Sequence, residues 1–145
     1  MKPADTPPDG LDDQAVLRAI QSAESTTSGE IRVAVAAKPA SDPAGAARQA
    51  FDRLGMERTP MRNAVLLYLA PSAGQVAVVA DETVVFRCGP DFGREAERSI
   101  ATALRRGRLT AGVVDAIRRL GERLAAHFPP SRAERNDFPD QVIRL

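Results

Sequence analysis

Two apolar runs stand back to back in the middle of the chain, and they constrain its fold more than any other feature. NAVLLYLA, residues 63–70, is apolar on both faces, and GQVAVVAD, residues 74–81, follows it after the short turn PSAG. A run that is apolar on both faces is typical of a strand covered on both sides, and a short connection between two strands predicts a hairpin. We therefore expect a hairpin in a sheet that helices cover.

Apolar residues recur at helical spacing in four other segments, and EIRVAVAA alternates as a strand does. The short run VVFR, residues 84–87, is interpreted as a segment that could form a further strand. The predicted order is helix, strand, helix, strand, strand, helix, helix, with apolar patterns over residues 11–23, 30–37, 43–54, 63–70, 74–81, 92–104 and 113–128.

This order predicts an α/β fold, a three-layer α/β/α sandwich on a small mixed sheet with helices on both faces. A strand-helix-strand unit implies a parallel crossover, so the first two strands should be parallel and the third antiparallel to the second. We expect residues 1–9 to be a disordered N-terminal segment, residues 10–129 to form the domain, and residues 130–145 to form an extended, partly docked tail. Phe138, Val142 and Ile143 are too apolar for a free tail.

Charge and length exclude several classes of protein. Nineteen acids nearly balance twenty bases in 145 residues, so no strong field attracts nucleic acid or an anionic membrane. No apolar stretch has the length of a membrane span, none has the pattern of a signal peptide, and one cysteine cannot form an internal disulfide. We expect a soluble cytoplasmic monomer with no nucleic-acid partner.

Acidic and amide side chains are predicted to meet at one edge of the sheet. The starts of the first two strands and the end of the third share that edge, and its polar residues are Glu30, Asn63, Asp81 and Glu82, with Asp52 nearby. Carboxylate and amide oxygens are hard ligands that suit Ca²⁺ or Mg²⁺. The alternative is that these are solvated strand ends whose charges pair with Arg58 and Arg62.

Several stretches together resemble the TPM domain family, especially its short bacterial branch, from Leu11 to Pro129. The resemblance implies an α/β/α fold, binding of calcium or another divalent ion, and, as in plant members, acid phosphatase activity and repair of photosystem II; other members have membrane-linked roles. Carried over by position, it selects Asp52, Asn63, Asp81 and Glu82 as metal ligands. The stretches are SGEIRV, AFDRLGM, RNAVLLYLA, VAVVADETV, GPDF and RLTAGVVDAIRRLGERLAAHFP.

The chain departs from the family pattern at the same edge. Relatives often have Asn-Gly where this chain has Asn63-Ala64, and their G-D-x-G-like loop is ADETV here, with both glycines lost. Loss of these glycines removes easy left-handed backbone geometry. This departure weakens the expectation of a loop that wraps an ion through its carbonyls.

A second motif suggests phosphatase chemistry directly. Cys88 and Arg94 fit the C-x5-R pattern, in which a thiolate attacks phosphorus while loop amides and the arginine hold the oxygens. Pro90 removes one of those amides, and Asp91 places a negative charge in the anion site. We therefore interpret Cys88 as a small buried hydrophobic residue and Asp91 as a cap or first-turn acid of the next helix.

Three functional classes remain open. The first is a divalent-metal module that binds Ca²⁺; the second is a metal-assisted phosphatase; the third is a metal-free module that binds a protein partner. An enzyme would need a cationic phosphate clamp, for which Arg62 is the only good candidate. This scarcity favours binding over catalysis, and no catalytic residue is assigned.

Overall fold

The computed structural model describes residues 9–130 and 142–145 as five helices and a four-stranded sheet. The helices are α1 (Asp13–Glu24), α2 (Pro43–Arg53), α3 (Glu82–Cys88), α4 (Arg94–Arg105) and α5 (Leu109–His127). The strands are β1 (Glu30–Val35), β2 (Ala64–Ala70), β3 (Gln75–Ala80) and β4 (Val142–Arg144). Short 3₁₀ turns lie at Met56–Arg58 and Pro71–Ala73.

The sheet has the strand order β3-β2-β1-β4. β1 and β2 are parallel, with Glu30 opposite Ala64, and β2 and β3 form an antiparallel hairpin with Val65 opposite Ala80. Both pairings confirm the predicted topology. The fourth strand was not predicted as a strand: Val142 lies opposite Val33, so β4 is parallel to β1 and covers its outer edge.

Two apolar cores lie on opposite faces of the sheet. Val33 and Leu67 face one core, where side chains of α1, α4 and α5 cover them. Side chains alternate between the two faces of a strand, so Leu66 and Tyr68 face the other core. Helix α2 covers that core with Phe51. The α/β/α fold is thus confirmed. The residues predicted as core of the last two helices are all buried: Phe92, Ile100, Ile117, Leu120 and Leu124.

Two local predictions are wrong. VVFR lies within helix α3 and is not a strand, because the side chain of Asp81 accepts a hydrogen bond from Glu82 N and begins a helix there. Asp91 does not cap α4: the residue before that helix is Gly93, without a side-chain cap. A Cβ atom at Gly93 would lie 2.6 Å from Val78 Cβ, so close packing on β3 explains the glycine.

Several sequence predictions fall outside the residues that the structure describes. These are the disorder of residues 1–8 and every expectation for residues 131–141, including Phe138. The domain boundaries stay predictions. Among residues 9–130 and 142–145, none of the helices combines the length and apolar character needed to span a bilayer.

Candidate functional site

The predicted acidic edge exists, and backbone hydrogen bonds hold its three segments together. Glu30 N donates to Asn63 O at 3.3 Å, which fixes the start of β1 against the residue before β2. Asp81 N donates to Ala64 O at 2.9 Å, which fixes the residue after β3 against the start of β2. The side chains of Asn63 and Asp81 therefore leave neighbouring strands at the same end of the sheet.

Asp81 is the buried acid of this edge, with only 1% of its surface exposed. Arg62 donates two hydrogen bonds to its carboxylate, from Nε to Oδ2 at 3.2 Å and from Nη2 to Oδ1 at 3.1 Å. Oδ1 also accepts a hydrogen bond from Glu82 N at 2.8 Å. One carboxylate thus caps α3 and binds an arginine, which explains why an acid can be buried here.

Arg62 has an unusual backbone conformation. Its φ is 53°, the only positive φ at a non-glycine residue within the described part of the chain. A left-handed conformation is unfavourable for a residue with a Cβ atom, so it requires support from the surroundings. The side chain remains 42% exposed although its guanidinium reaches Asp81 and lies 3.6 Å from Glu82 Oε1.

Three carboxylates act on this one guanidinium. The pKa of Arg62 is raised above its ordinary value, first by the hydrogen bond to Asp81, then by the charge of Asp81, and further by Glu82 and Glu57. Burial opposes the shift. Arg62 therefore has three carboxylates in its surroundings, and two of them, Asp81 and Glu82, are its ion-pair partners.

Two buried oxygen atoms at this edge have no hydrogen-bond partner within the described residues. Asn63 is fully buried; its Nδ2 donates to Ser28 Oγ at 3.2 Å, while Oδ1 accepts nothing. Glu57 Oε2, on the 3₁₀ turn before Arg62, is buried in the same way. A buried acceptor without a donor costs about 1–3 kcal/mol, so such atoms point to a missing partner.

The predicted ligand Asp52 does not join this group. It is exposed on α2, and its ion pair is with Arg48 of the same helix, at 3.6 Å. Glu30 is buried at the edge and pairs with Arg32 Nη2 at 3.2 Å. The structure therefore brings Asp81 and Glu82 together at Arg62, places the Asn63 side chain against Ser28, and pairs Asp52 with Arg48.

The donor atoms at this edge are of types that bind a divalent ion, but they are not arranged around a common centre. The group offers carboxylate and amide oxygens, which are the ligands that Ca²⁺ prefers. Within residues 9–130 and 142–145, however, no three Asp, Glu, His or Cys side chains are placed to hold a metal ion. The two oxygens of Asp81 face the guanidinium of Arg62 instead.

Comparison with known proteins identifies the family. A sequence model described as the TPM domain matches residues 9–123. This chain belongs to the TPM domain family. No curated protein matches it at a significant level.

Two solved structures have the fold of this TPM domain. The NMR structure of the BA42 protein from the psychrophilic bacterium Bizionia argentinensis aligns with a TM-score of 0.82 and 29% identity over 91% of each chain. The N-terminal domain of the cg2496 protein from Corynebacterium glutamicum aligns with a TM-score of 0.61 and 16% identity, over 87% of this chain and 80% of that one. The second likeness concerns the fold alone.

The C-x5-R motif of this TPM domain does not form a phosphate site. Burial raises the pKa of the Cys88 thiol, and the charge of Arg123 opposes that shift only in part. Arg94 pairs with Asp91 Oδ1 at 3.3 Å on the surface. A phosphatase of this type needs a thiolate and an available arginine, and the burial of Cys88 and the pairing of Arg94 both disfavour this arrangement.

Large apolar side chains are exposed beside the acidic edge. Phe86 on α3 is 87% exposed, and Val85 and Met61 are also exposed. Glu82, Val85 and Phe86 are spaced three and four residues apart, so they share one face of α3. Since Glu82 contacts Arg62 and Met61 directly precedes Arg62, this apolar surface borders the Arg62–Asp81 pair.

Proposed function

We propose that this TPM domain is a divalent-cation-binding module that prefers Ca²⁺, with its site around Asp81. The carrying observation is the group of three carboxylates, Asp81, Glu82 and Glu57, that acts on the guanidinium of Arg62; the residue after Arg62, Asn63, has a buried Oδ1 without a partner among the described residues. Asp81, Glu82 and Asn63 are the proposed ligands, and Glu57 is an additional donor. Asp52, which was expected there from the predicted sheet edge and the family resemblance, is not included, because its ion pair in the structure is with Arg48.

The proposed preference for Ca²⁺ follows from where the donors come from. Glu57, Asn63 and Asp81 lie on three separate segments: a 3₁₀ turn, the residue before β2 and the cap of α3. Ca²⁺ accepts six to eight oxygens in flexible geometry, whereas Mg²⁺ demands a tight octahedron. A bound ion would add two positive charges among these carboxylates. Arg62, the candidate phosphate clamp, is already engaged by Asp81, which favours cation binding over phosphatase chemistry.

Calorimetry and thermal unfolding of the full chain test this proposal. Ca²⁺ should bind and should raise the free energy of unfolding by about 2.7 kcal/mol when free ion reaches a hundred times its dissociation constant. Mg²⁺ should bind more weakly. Asp81→Asn should weaken binding strongly because it removes a ligand charge, and its amide oxygen can still cap α3.

Asp52→Asn is the matched control, since it removes one carboxylate from the neighbouring helix surface. It should leave Ca²⁺ affinity unchanged. Absence of both a heat of binding and a thermal shift at millimolar Ca²⁺ would contradict the function. Equal losses from Asp52→Asn and Asp81→Asn would contradict the position of the site.

The exposed surface of Met61, Val85 and Phe86 favours a second candidate, a metal-free module that binds a protein partner. Contiguous exposed apolar surface on a protein often marks a site where a partner binds. Selection from a displayed peptide library should enrich apolar peptides on the wild-type chain and not on Phe86→Ser. Enrichment that Phe86→Ser leaves intact, or no enrichment over an unrelated protein, would remove this candidate.

A further inference from the structure

We infer that Arg62 is a resident cation that competes with the divalent ion for Asp81, so that ion binding requires the guanidinium to leave. The inference rests on the proposed function and concerns its regulation. It predicts that the site fills only when the ion concentration is high enough to displace the arginine. It also explains why the acids gather at this edge without forming a ready metal centre.

The hydrogen bonds of Asp81 make the competition direct. Arg62 Nε donates a hydrogen bond to Oδ2 and Nη2 donates one to Oδ1. Glu82 N donates a second hydrogen bond to Oδ1. A bidentate arginine of this kind occupies the space between the two oxygens, from which a cation that binds both of them would approach. The guanidinium and a divalent ion therefore cannot both contact the two oxygens of Asp81 in this way.

Arg62 has the exposure that departure requires. Its side chain is 42% exposed, and its second partner, Glu82, is 74% exposed, so water can hydrate the released guanidinium at little cost. Arg32 provides the internal contrast. It also binds acids at this end of the sheet, 3.2 Å from Glu30 and 3.5 Å from Glu24, but it is almost completely buried. Arg32 is thus held in the interior, whereas Arg62 lies at the surface, where it can exchange with an ion.

Departure of Arg62 would leave a strongly acidic group behind. Asp81, Glu82 and Glu57 are the carboxylates whose charges act on the guanidinium. Like charges gathered in one place raise the free energy of the folded state, and a divalent ion relieves more of that repulsion than a single guanidinium does. The acids therefore favour exchange of Arg62 for the ion.

The Nε–H group of Arg62 reports the exchange in the wild-type chain. In ¹H–¹⁵N spectra without Ca²⁺ its signal should lie away from the position of free arginine, because the proton is bonded to Asp81. Addition of Ca²⁺ should move it to the free position in step with the Asp81 amide. An Asp81 amide that responds to Ca²⁺ while the Arg62 signal stays fixed would overturn the inference and leave the proposed function standing.

Charge variants measure the size of the competition. Arg62→Ala should bind Ca²⁺ at least about tenfold more tightly than the wild type, and Arg62→Lys, which keeps the charge without the fork, should lie between them. Arg58→Ala is the control, because it removes an equal charge from the preceding turn; it should change affinity by no more than about twofold.

The outcomes separate the two claims. Tighter binding by Arg62→Ala, with little change for Arg58→Ala, supports competition. Equal affinities of Arg62→Ala and wild type, or equal gains from both alanine variants, overturn it while cation binding stands. No response to Ca²⁺ from the wild type or from either Arg62 variant means that the proposed function itself fails.

Discussion

Cys88 ends α3 with its thiol half-buried against the apolar core, and this burial raises the pKa of the thiol above its ordinary value of about 9. Because the thiolate is the reactive form, alkylation by iodoacetamide should be slow at neutral pH. The rate should rise with a midpoint above pH 9 in the folded chain. Since the raised pKa favours the protonated thiol, its contribution to stability is present below about pH 9 and is lost as pH rises through the folded value.

The unfolded chain in urea serves as the reference for this experiment, because its thiol should titrate near the ordinary value and react faster at neutral pH. A folded chain that reaches its maximal alkylation rate below pH 8 would indicate an activated thiolate. That result would support a phosphatase role for the C-x5-R motif.

Single residues show what the sequence of the site could and could not predict. Asn63 and Asp81 were predictable, because parallel and antiparallel pairings decide which strand ends meet. Asp52 was expected near the edge from the predicted topology and from the resemblance, whereas the structure pairs it with Arg48, four residues earlier on the same helix. Glu57 was missed because the 3₁₀ turn that carries it has no periodic signal. The left-handed backbone of Arg62 was also missed, since non-glycine residues rarely adopt it.

At the scale of elements, α1 and α5 cross at a contact that only small side chains allow. A Cβ atom at Gly121 would lie 2.7 Å from Ala23 Cβ. Gly121→Ala should therefore lower the free energy of unfolding, because overpacking costs about 1–3 kcal/mol. The roughly 1 kcal/mol by which alanine favours a helix over glycine offsets only part of that cost. Urea denaturation measures the difference.

The double variant Ala23→Gly with Gly121→Ala tests the same contact. It exchanges the two small residues, so that the Cβ atom added at position 121 occupies the space left by the one removed at position 23. The double variant should therefore recover most of the lost stability. Unchanged or increased stability of Gly121→Ala alone would show that the two helices separate without cost, contrary to the close packing described.

Elements also differ in how well their sequence predicts them. The long stripes of α4 and α5 identify these helices because many apolar positions repeat with the helical period. VVFR was misinterpreted because Val, Val and Phe favour strands, and in so short a segment the capping of Asp81 outweighs that preference. β4 has only three residues, and its pairing with β1 is a tertiary contact that no local pattern reveals.

At the scale of the whole molecule, the two-sided burial of β2 determined the layered architecture. Its seven residues are all buried, which requires helices on both faces of the sheet. The same architecture places the starts of β1 and β2 and the end of β3 at one edge, where the acids gather around Arg62. We propose that this edge binds a divalent cation through Asp81.

A Ca²⁺ titration followed by ¹H–¹⁵N spectra of the full chain tests that claim most directly. Saturable shifts should be largest at Asn63, Asp81 and Glu82, while Ala36 and Ser72, at the opposite end of the sheet, should stay fixed. Mg²⁺ should produce smaller shifts at the same concentration. Spectra that do not change at millimolar Ca²⁺, or shifts centred away from Asp81, would contradict the account.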